Sequence, residues 1–247
     1  GRKGTDAARE AADLVLTDDN FASIDHAVHE GRTIFDNIKK SLLFILPTNG
    51  GQAGVILLAV FLGLALPVTA VQILWVNMVT TVTLAIALAF EPAESGVMQR
   101  PPRPPAEPLI TRLVLARVVY VSVLVMGVTF AMFQWELGRG VALEEARTAA
   151  VNMLVLAQIV YLFNSRRFVA HAFAPGMLTG NPIALWAALG LIALQMAFTY
   201  LPLMQSLFHT APIGLEVWLR MVALAMLVFL LVEIEKAVLR RLGVVRL

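Results

Sequence analysis

The sequence predicts an all-α membrane protein, six transmembrane helices behind a short α/β remnant at the N-terminus. Three observations predict it. The 247 residues are 59% hydrophobic and 15% charged, against about 45–50% and about 25% in an average soluble domain. The apolar residues fall in long blocks separated by short charged ones, the pattern of a polytopic membrane protein. Residues 1–30, in contrast, are polar and carry helix-forming and turn-forming runs. There is no cysteine, so disulfides and thiolate metal sites are excluded. The net charge is only +2, and no nucleic-acid partner is expected from it; the partner implied by composition is a lipid bilayer.

Taken in order, Ala7-Ala8-Arg9-Glu10-Ala11-Ala12 has strong helix propensity. Asp13-Leu14-Val15-Leu16 reads as a short buried strand, and Thr17-Asp18-Asp19-Asn20 as a turn or helix cap, the role also assigned to Asp18 and Asp19. A helix starting at Phe21 meets no breaker before Pro47, so one long helix is expected to leave the polar segment and enter the bilayer. Ile24, Ala27, Val28, Ile34 and Ile38 form its apolar stripe, with Glu30, Arg32, Asp36, Lys39 and Lys40 solvated or anchored at headgroups. His26 and His29 are expected on the exposed side of this stalk, and the four histidines (with His171 and His209) show no metal-ligand spacing.

Six spans follow, at about 41–66, 70–90, 113–135, 149–163, 183–204 and 217–233; each needs roughly 20 apolar residues, and the fourth is short unless it begins earlier. Pro67-Val68-Thr69 makes the first pair a hairpin, and the Pro- and charge-rich stretch 91–112 an extended surface loop. The domains are thus 1–30 and 31–247. Lys and Arg set the orientation. One side carries Lys39 and Lys40, then Arg100, Arg103 and Arg112, then Arg166 and Arg167, then Lys236, Arg240, Arg241 and Arg246; the other carries almost no unbalanced basic charge. Both termini are therefore expected in the cytoplasm, in a bacterial-type plasma membrane. Arg117 and Arg220, one turn inside their spans, are expected to snorkel, and Trp135, Trp186 and Trp218 to anchor interfaces.

Two polar stretches interrupt these apolar blocks. Asn49 and Gln52 are spaced i, i+3 beside Pro47, Gly50, Gly51 and Gly54; Asn77, Thr80 and Thr81 are spaced i, i+3, i+4 on one helical face. Polar side chains facing one another beside weakened helix, at a depth where irregular backbone survives only inside protein or along a wet cavity, point to an ion site. Pro47, Gly50 and Gly51 would supply a hinge and carbonyls freed for the ion. The alternative is that these amides and hydroxyls only cross-link neighbouring helices.

At these residues a family can be named. The stretch from Lys3 through Gly4-Thr5-Asp6-Ala7-Ala8-Arg9-Glu10 to Asp18-Asp19-Asn20-Phe21 resembles the end of the phosphorylation domain of P-type cation-transporting ATPases. Glu30-Gly31-Arg32-Thr33-Ile34-Phe35-Asp36-Asn37-Ile38-Lys39-Lys40 resembles the stalk of their fifth transmembrane helix, Gln72-Ile73-Leu74-Trp75-Val76-Asn77 their sixth, and Arg100-Pro101-Pro102-Arg103 the loop that follows. The resemblance is closest to type II, calcium-pump-like members, and implies that the six spans correspond to helices five to ten of a longer pump. It further implies that the intact parent hydrolyses ATP through an aspartyl phosphate with Mg. This chain, which lacks the phosphorylated Asp, the nucleotide domain and helices one to four, would be inactive alone and would have those missing parts as its partner.

By the same resemblance, the family's cation ligands fall on Asn49 and Gln52, on Asn77, Thr80 and Thr81, and on Gln158, six residues before Asn164-Ser165. The Asn and Thr positions are kept, making Asn49, Asn77 and Thr80 the expected metal ligands. Gln52, Thr81 and Gln158 replace acids. Calcium affinity is tuned by carboxylate count, so the transported cation is calcium, the family default, or a monovalent ion. A channel, a secondary transporter or an inactive P-type relative are the competing functions; no internal repeat of the kind many transporters show is visible.

Overall fold

A computed structural model describes residues 4–94, 96–102, 104, 108–167 and 180–243; Lys3, Arg103, His171 and Arg246 lie outside them. The helices are α1 (Asp6–Glu10), α2 (Ala22–Phe61), α3 (Ala70–Thr80), α4 (Ile86–Ala89), α5 (Arg112–Gly138), α6 (Leu143–Ser165), α7 (Pro182–Tyr200), α8 (Pro202–Phe208) and α9 (Leu215–Arg241). A π-helical turn, Thr81–Ala85, joins α3 to α4, and a 3₁₀ turn spans Val97–Gln99. Six helical stretches are long and apolar enough to cross a membrane, with α3, the π turn and α4 counting as one.

The ends of these helices differ from the sequence-based spans for local reasons. The apolar run of α2 continues to Leu66, but the helix stops at Phe61 because Gly63 takes φ +65°. Gly63 N then donates to Val60 O and Leu64 N to Ala59 O, satisfying the last-turn carbonyls. The fourth span begins at Leu143 rather than 149: Glu144 and Glu145, which read as loop, occupy the first turn, where the helix dipole favours acids. The fifth stops at Tyr200 because Pro202 pushes Leu201 into an extended conformation and opens α8. Side-chain caps start α3 (Thr69 with Gln72), α5 (Thr111) and α7 (Asn181). Asp18 and Asn20 brace the start of α2: Asn20 N and the Ser23 hydroxyl donate to the Asp18 carboxylate, and Ala22 N donates to Asn20 Oδ1. Those bonds, Ser23's first, hold the Asp18 carboxyl below the usual carboxylate range, so Asp18 and Asp19 fit the turn role the sequence gives them.

No strand forms among the described residues. Residues 13–16 are irregular, and Leu14 is 58% exposed; a single apolar run has no second strand here to pair with. Of the expected stalk stripe, Val28, Ile34 and Ile38 are exposed, while Asn37, Lys39 and Lys40 are buried, Lys40 to 1% exposure. The reason is the first part of the segment after α4, which is bonded to the stalk through Glu91, Glu94, Val97 and Arg100, whereas residues 101, 102, 104 and 108–110 are exposed as a surface loop would be. Asn37 Nδ2 donates to the carbonyls of Ala89 (3.2 Å) and Glu91 (2.8 Å). Arg32 donates to the carbonyls of Val97 and Arg100 at 2.8 Å each. Lys40 pairs with Glu94 at 3.1 Å and Arg100 with Asp36. Nor do Arg117 and Arg220 reach outward: they pair inside the bundle with Glu235 and Glu136. Lys236 likewise binds Glu233 (2.9 Å) and the Asn164 carbonyl (2.6 Å). A long cationic side chain snorkels only when no closer acid repays its burial.

The bundle centres on α6, buried along most of its length from Ala146 to Ser165 and packed against α2, α3, α5, α7 and α9. The most extensive helix pair is α2 with α5. Glycines make it possible. A Cβ on Gly51 would stand 2.7 Å from Val125 Cγ1 and 2.8 Å from Val125 Cβ, and one on Gly50 would strike the Ser122 hydroxyl. Without those side chains the two backbones approach closely, the usual way membrane helices gain dispersion contact. Gly51→Ala is therefore expected to destabilise the bundle by about 1–3 kcal/mol, because β-branched Val125 cannot swing away cheaply. Unfolding in detergent by graded SDS checks this; an unchanged midpoint would refute the close approach.

Candidate cation site

Proline has no N–H, so Pro47 leaves the carbonyl of Leu43, four residues earlier, without its helical partner. The structure fills the gap with a side chain from α6: Tyr161 Oη donates to Leu43 O at 2.7 Å. The Tyr161 ring lies parallel to Phe44, centroids 6.2 Å apart. Pro47's own carbonyl accepts from Ser122 Oγ at 3.1 Å. α2 consequently runs through Pro47 unbroken, and a tyrosine hydroxyl engages the carbonyl that Pro47 frees.

Beyond this point the six expected ligands divide. Gln52, Thr80 and Gln158 are buried; Asn77 is half-buried; Asn49 and Thr81 lie on the open surface of this chain. Their helices are neighbours, since α2 packs against the π turn and α6, and α3 against α6. The chain therefore places the buried three on α2, α3 and α6, with α2 and α3 each packed on α6, and leaves Asn49 and Thr81 exposed. Thr80 Oγ1 donates to Val76 O at 2.8 Å, which uses its proton and keeps its lone pairs as acceptors. Thr81 begins the π turn, whose i→i+5 pairing is rare and recurs at functional sites.

Gln158 is 1% exposed, and one end of its amide has no partner among the described residues. The unpartnered atom is the amide nitrogen, Nε2, a buried donor without an acceptor. No group of three or more His, Cys, Asp or Glu able to hold a metal occurs among the described residues, so the donors available to an ion here are amides, hydroxyls and carbonyls.

At the basic end, sequence reasoning missed a polar hub. The Glu91 carboxylate accepts from Arg166 Nε (2.9 and 3.1 Å) and from Asn181 Nδ2 (2.8 Å). Asn181 also donates to Ala87 O (3.0 Å) and caps α7 through Ala184 N. Since Asn37 holds the Glu91 carbonyl, one residue ties α2, α4, the end of α6 and the start of α7. The only sequence signal was an acid directly after an apolar span, with arginines beginning the next loop but one.

With this geometry in hand, comparison with known proteins is decisive. Residues 65–238 match the family described as "Cation transporting ATPase, C-terminus". The chain belongs to that family. A probable cation-transporting ATPase F of Mycobacterium tuberculosis is 46% identical over 235 residues, 95% of this chain and 26% of the relative. The cation-transporting ATPase pma1 of Synechocystis is 43% identical over 223 residues, 88% and 25%, and a calcium-transporting ATPase of Bacillus subtilis 38% over 230 residues, 91% and 25%. The chain thus spans about a quarter of the length of the curated relatives it matches. As a cation-transporting-ATPase C-terminal region with six spanning-length helices, it is an integral membrane protein.

In this ATPase region the Glu91 hub is buried at both partners. Removing one member leaves the other charged and without its counter-charge, which costs about 3–5 kcal/mol, more than the pair itself is worth. Arg166→Ala should lose that much stability in detergent unfolding, and adding Glu91→Gln should recover most of it; no recovery would show that Glu91 is not the reason Arg166 matters.

Proposed function

We propose that this chain is the cation-translocating membrane part of an ATP-driven P-type pump, supplying the ion site and the stalk that couples ATP hydrolysis to translocation. The observation that carries the proposal is the coincidence of the family match with buried neutral side chains that offer oxygen, Gln52, Thr80 and Gln158, on α2, α3 and the α6 helix that both pack against, beside a π turn. Asn77 completes the set from the half-buried edge of α3, and Asn49 and Thr81 from exposed positions, which helices one to four of the same pump would cover. The nucleophilic aspartate, the nucleotide and its Mg lie in other parts of the full-length protein, and this chain alone does not hydrolyse ATP.

The donor set bears on the ion. Glu91, Glu136, Glu233 and Glu235 each face a base already, so none is free to neutralise a passenger. A dehydrated divalent ion among uncharged ligands keeps its full charge in low dielectric, at a cost of several kcal/mol. A monovalent cation suits this chain by itself; calcium requires a carboxylate from outside it. Coupling runs along α2, whose 40 residues reach from the polar segment to the donors as one helix and whose Arg32, Asp36, Asn37 and Lys40 grip the segment after α4. The basic end of the bundle then faces the cytoplasm of a bacterial-type cell.

The test is ion-stimulated phosphorylation of the full-length protein from labelled ATP. Asn77→Ala and Thr80→Ala are each expected to abolish stimulation, while nucleotide binding stays within about twofold, as loss of one ligand lowers site affinity by a factor of ten or more at about 1.4 kcal/mol per decade. Unchanged stimulation in both variants would defeat the assignment.

A further inference from the structure

A chain of side-chain hydrogen bonds crosses the bundle behind α3. Trp75 Nε1 donates to Gln195 Oε1 at 2.9 Å. Gln195 Nε2 donates to Asn152 Oδ1 at 3.2 Å. Asn152 Nδ2 donates to Thr199 Oγ1 at 2.9 Å and to the Thr148 carbonyl at 3.0 Å. The four side chains that form it, Trp75, Gln195, Asn152 and Thr199, are all buried, and none of their polar atoms is without a partner among the described residues.

The direction of this relay is forced. An indole N–H can only donate. Gln195 must therefore turn its oxygen to Trp75 and its nitrogen to Asn152. Asn152 must answer with its oxygen and send its nitrogen to Thr199 and Thr148. One donor-only group at the head fixes the orientation of two amides on two other helices, and reversing either amide leaves a donor facing a donor. Rings reinforce the grip: Trp75 lies parallel to Phe198 at 5.4 Å and tilted against Phe208 at 5.2 Å, and Gln72, one turn earlier on α3, donates to Phe208 O at 3.0 Å.

The gripped helix is the one that carries Asn77 and Thr80. At 3.6 residues per turn, Asn77 stands about 200° around α3 from Trp75, so the relay holds the helix by one face while a site residue occupies the opposite one. None of its hydrogen bonds reaches a proposed site residue. What it fixes is the rotation of α3, at the point where the helix is about to give way to the π turn.

We propose that the Trp75–Gln195–Asn152 relay is a positioning device for the cation site, setting the affinity for the ion through the rotation of α3. This rests on the pump assignment above. The test titrates the ATPase activity of the full-length protein with calcium, sodium and potassium chloride in turn, for the natural sequence, Trp75→Phe, Gln195→Leu and the double variant. The salt that stimulates the natural protein is the probe. Each single variant is expected to raise its half-saturating concentration about threefold to tenfold, the worth of one or two lost buried hydrogen bonds (one for Trp75→Phe, two for Gln195→Leu), with the maximal rate within about twofold of the natural protein. The double variant is expected to be no worse than the poorer single one, because both break the same bond.

Lower thermal stability with an unchanged half-saturating concentration overturns the proposal, since a purely structural bond predicts that result. Additive effects in the double variant overturn it as well. Should Gln195→Leu fail to fold, Trp75→Phe decides, as it removes one N–H and keeps a ring. A natural protein stimulated by none of the three salts defeats the pump assignment and this proposal together; stimulation with unshifted variants defeats this proposal alone.

Discussion

Hydrocarbon offers no water to a backbone carbonyl, and every donor and acceptor in this bundle must find its partner within the protein. The bond from Tyr161 to Leu43 meets that requirement where it is hardest to meet. Pro47 would otherwise leave an orphan carbonyl in the middle of a 40-residue helix. With Tyr161 supplying the missing donor, α2 stays continuous, and continuity is what lets one element reach from the polar N-terminal segment to Gln52. The same bond joins α2 to α6, the axis of the bundle, one turn from Gln158. The glycine face of α2 then seats it against α5. A proline that would break a soluble helix is here the reason that two helices are tied together.

Around this frame the polar groups sort by depth. At the basic end they are charged and matched, in the Glu91 hub and the bonds that fasten residues 89–100 to the stalk. Among the buried site residues they are neutral amides and hydroxyls, one of them with an orphan end. Charge is tolerated near the rim, where partners and headgroups are within reach, and becomes expensive further in. Under the site proposed above, a passenger ion and the protein's own paired acids occupy different parts of the bundle.

Much of this was legible in the sequence and some was not. Six apolar blocks gave six helices because spanning length is a strong one-dimensional signal. Their ends moved where a single residue overrode hydropathy: Gly63 and Pro202 stopped helices inside apolar runs, and the charged turn holding Glu144 and Glu145 extended one. The strand at 13–16 failed because apolar content says nothing about whether a pairing edge exists. Lys40, Arg117 and Arg220 looked like interface anchors because their acids, Glu94, Glu235 and Glu136, are remote in sequence. For the candidate ligands, the polar spacing picked out Gln52 and Thr80, which are buried, together with Asn49 and Thr81, which are exposed. Which of them face inward depends on neighbours: Gln52, Thr80 and Gln158 are covered by this chain, whereas Asn49 and Thr81 are not. Gln195 and Asn152 were visible as polar residues within apolar runs, but nothing local reveals that they meet Trp75.

The pairing of Glu91 with Arg166, Glu136 with Arg220, Glu233 with Lys236 and Glu235 with Arg117 has an electrical consequence. Moving one elementary charge through a membrane potential of about 100 mV changes its energy by about 2.3 kcal/mol. Matched pairs that move together carry no net charge through that field. Under the pump assignment, these four pairs add nothing of their own to the gating current.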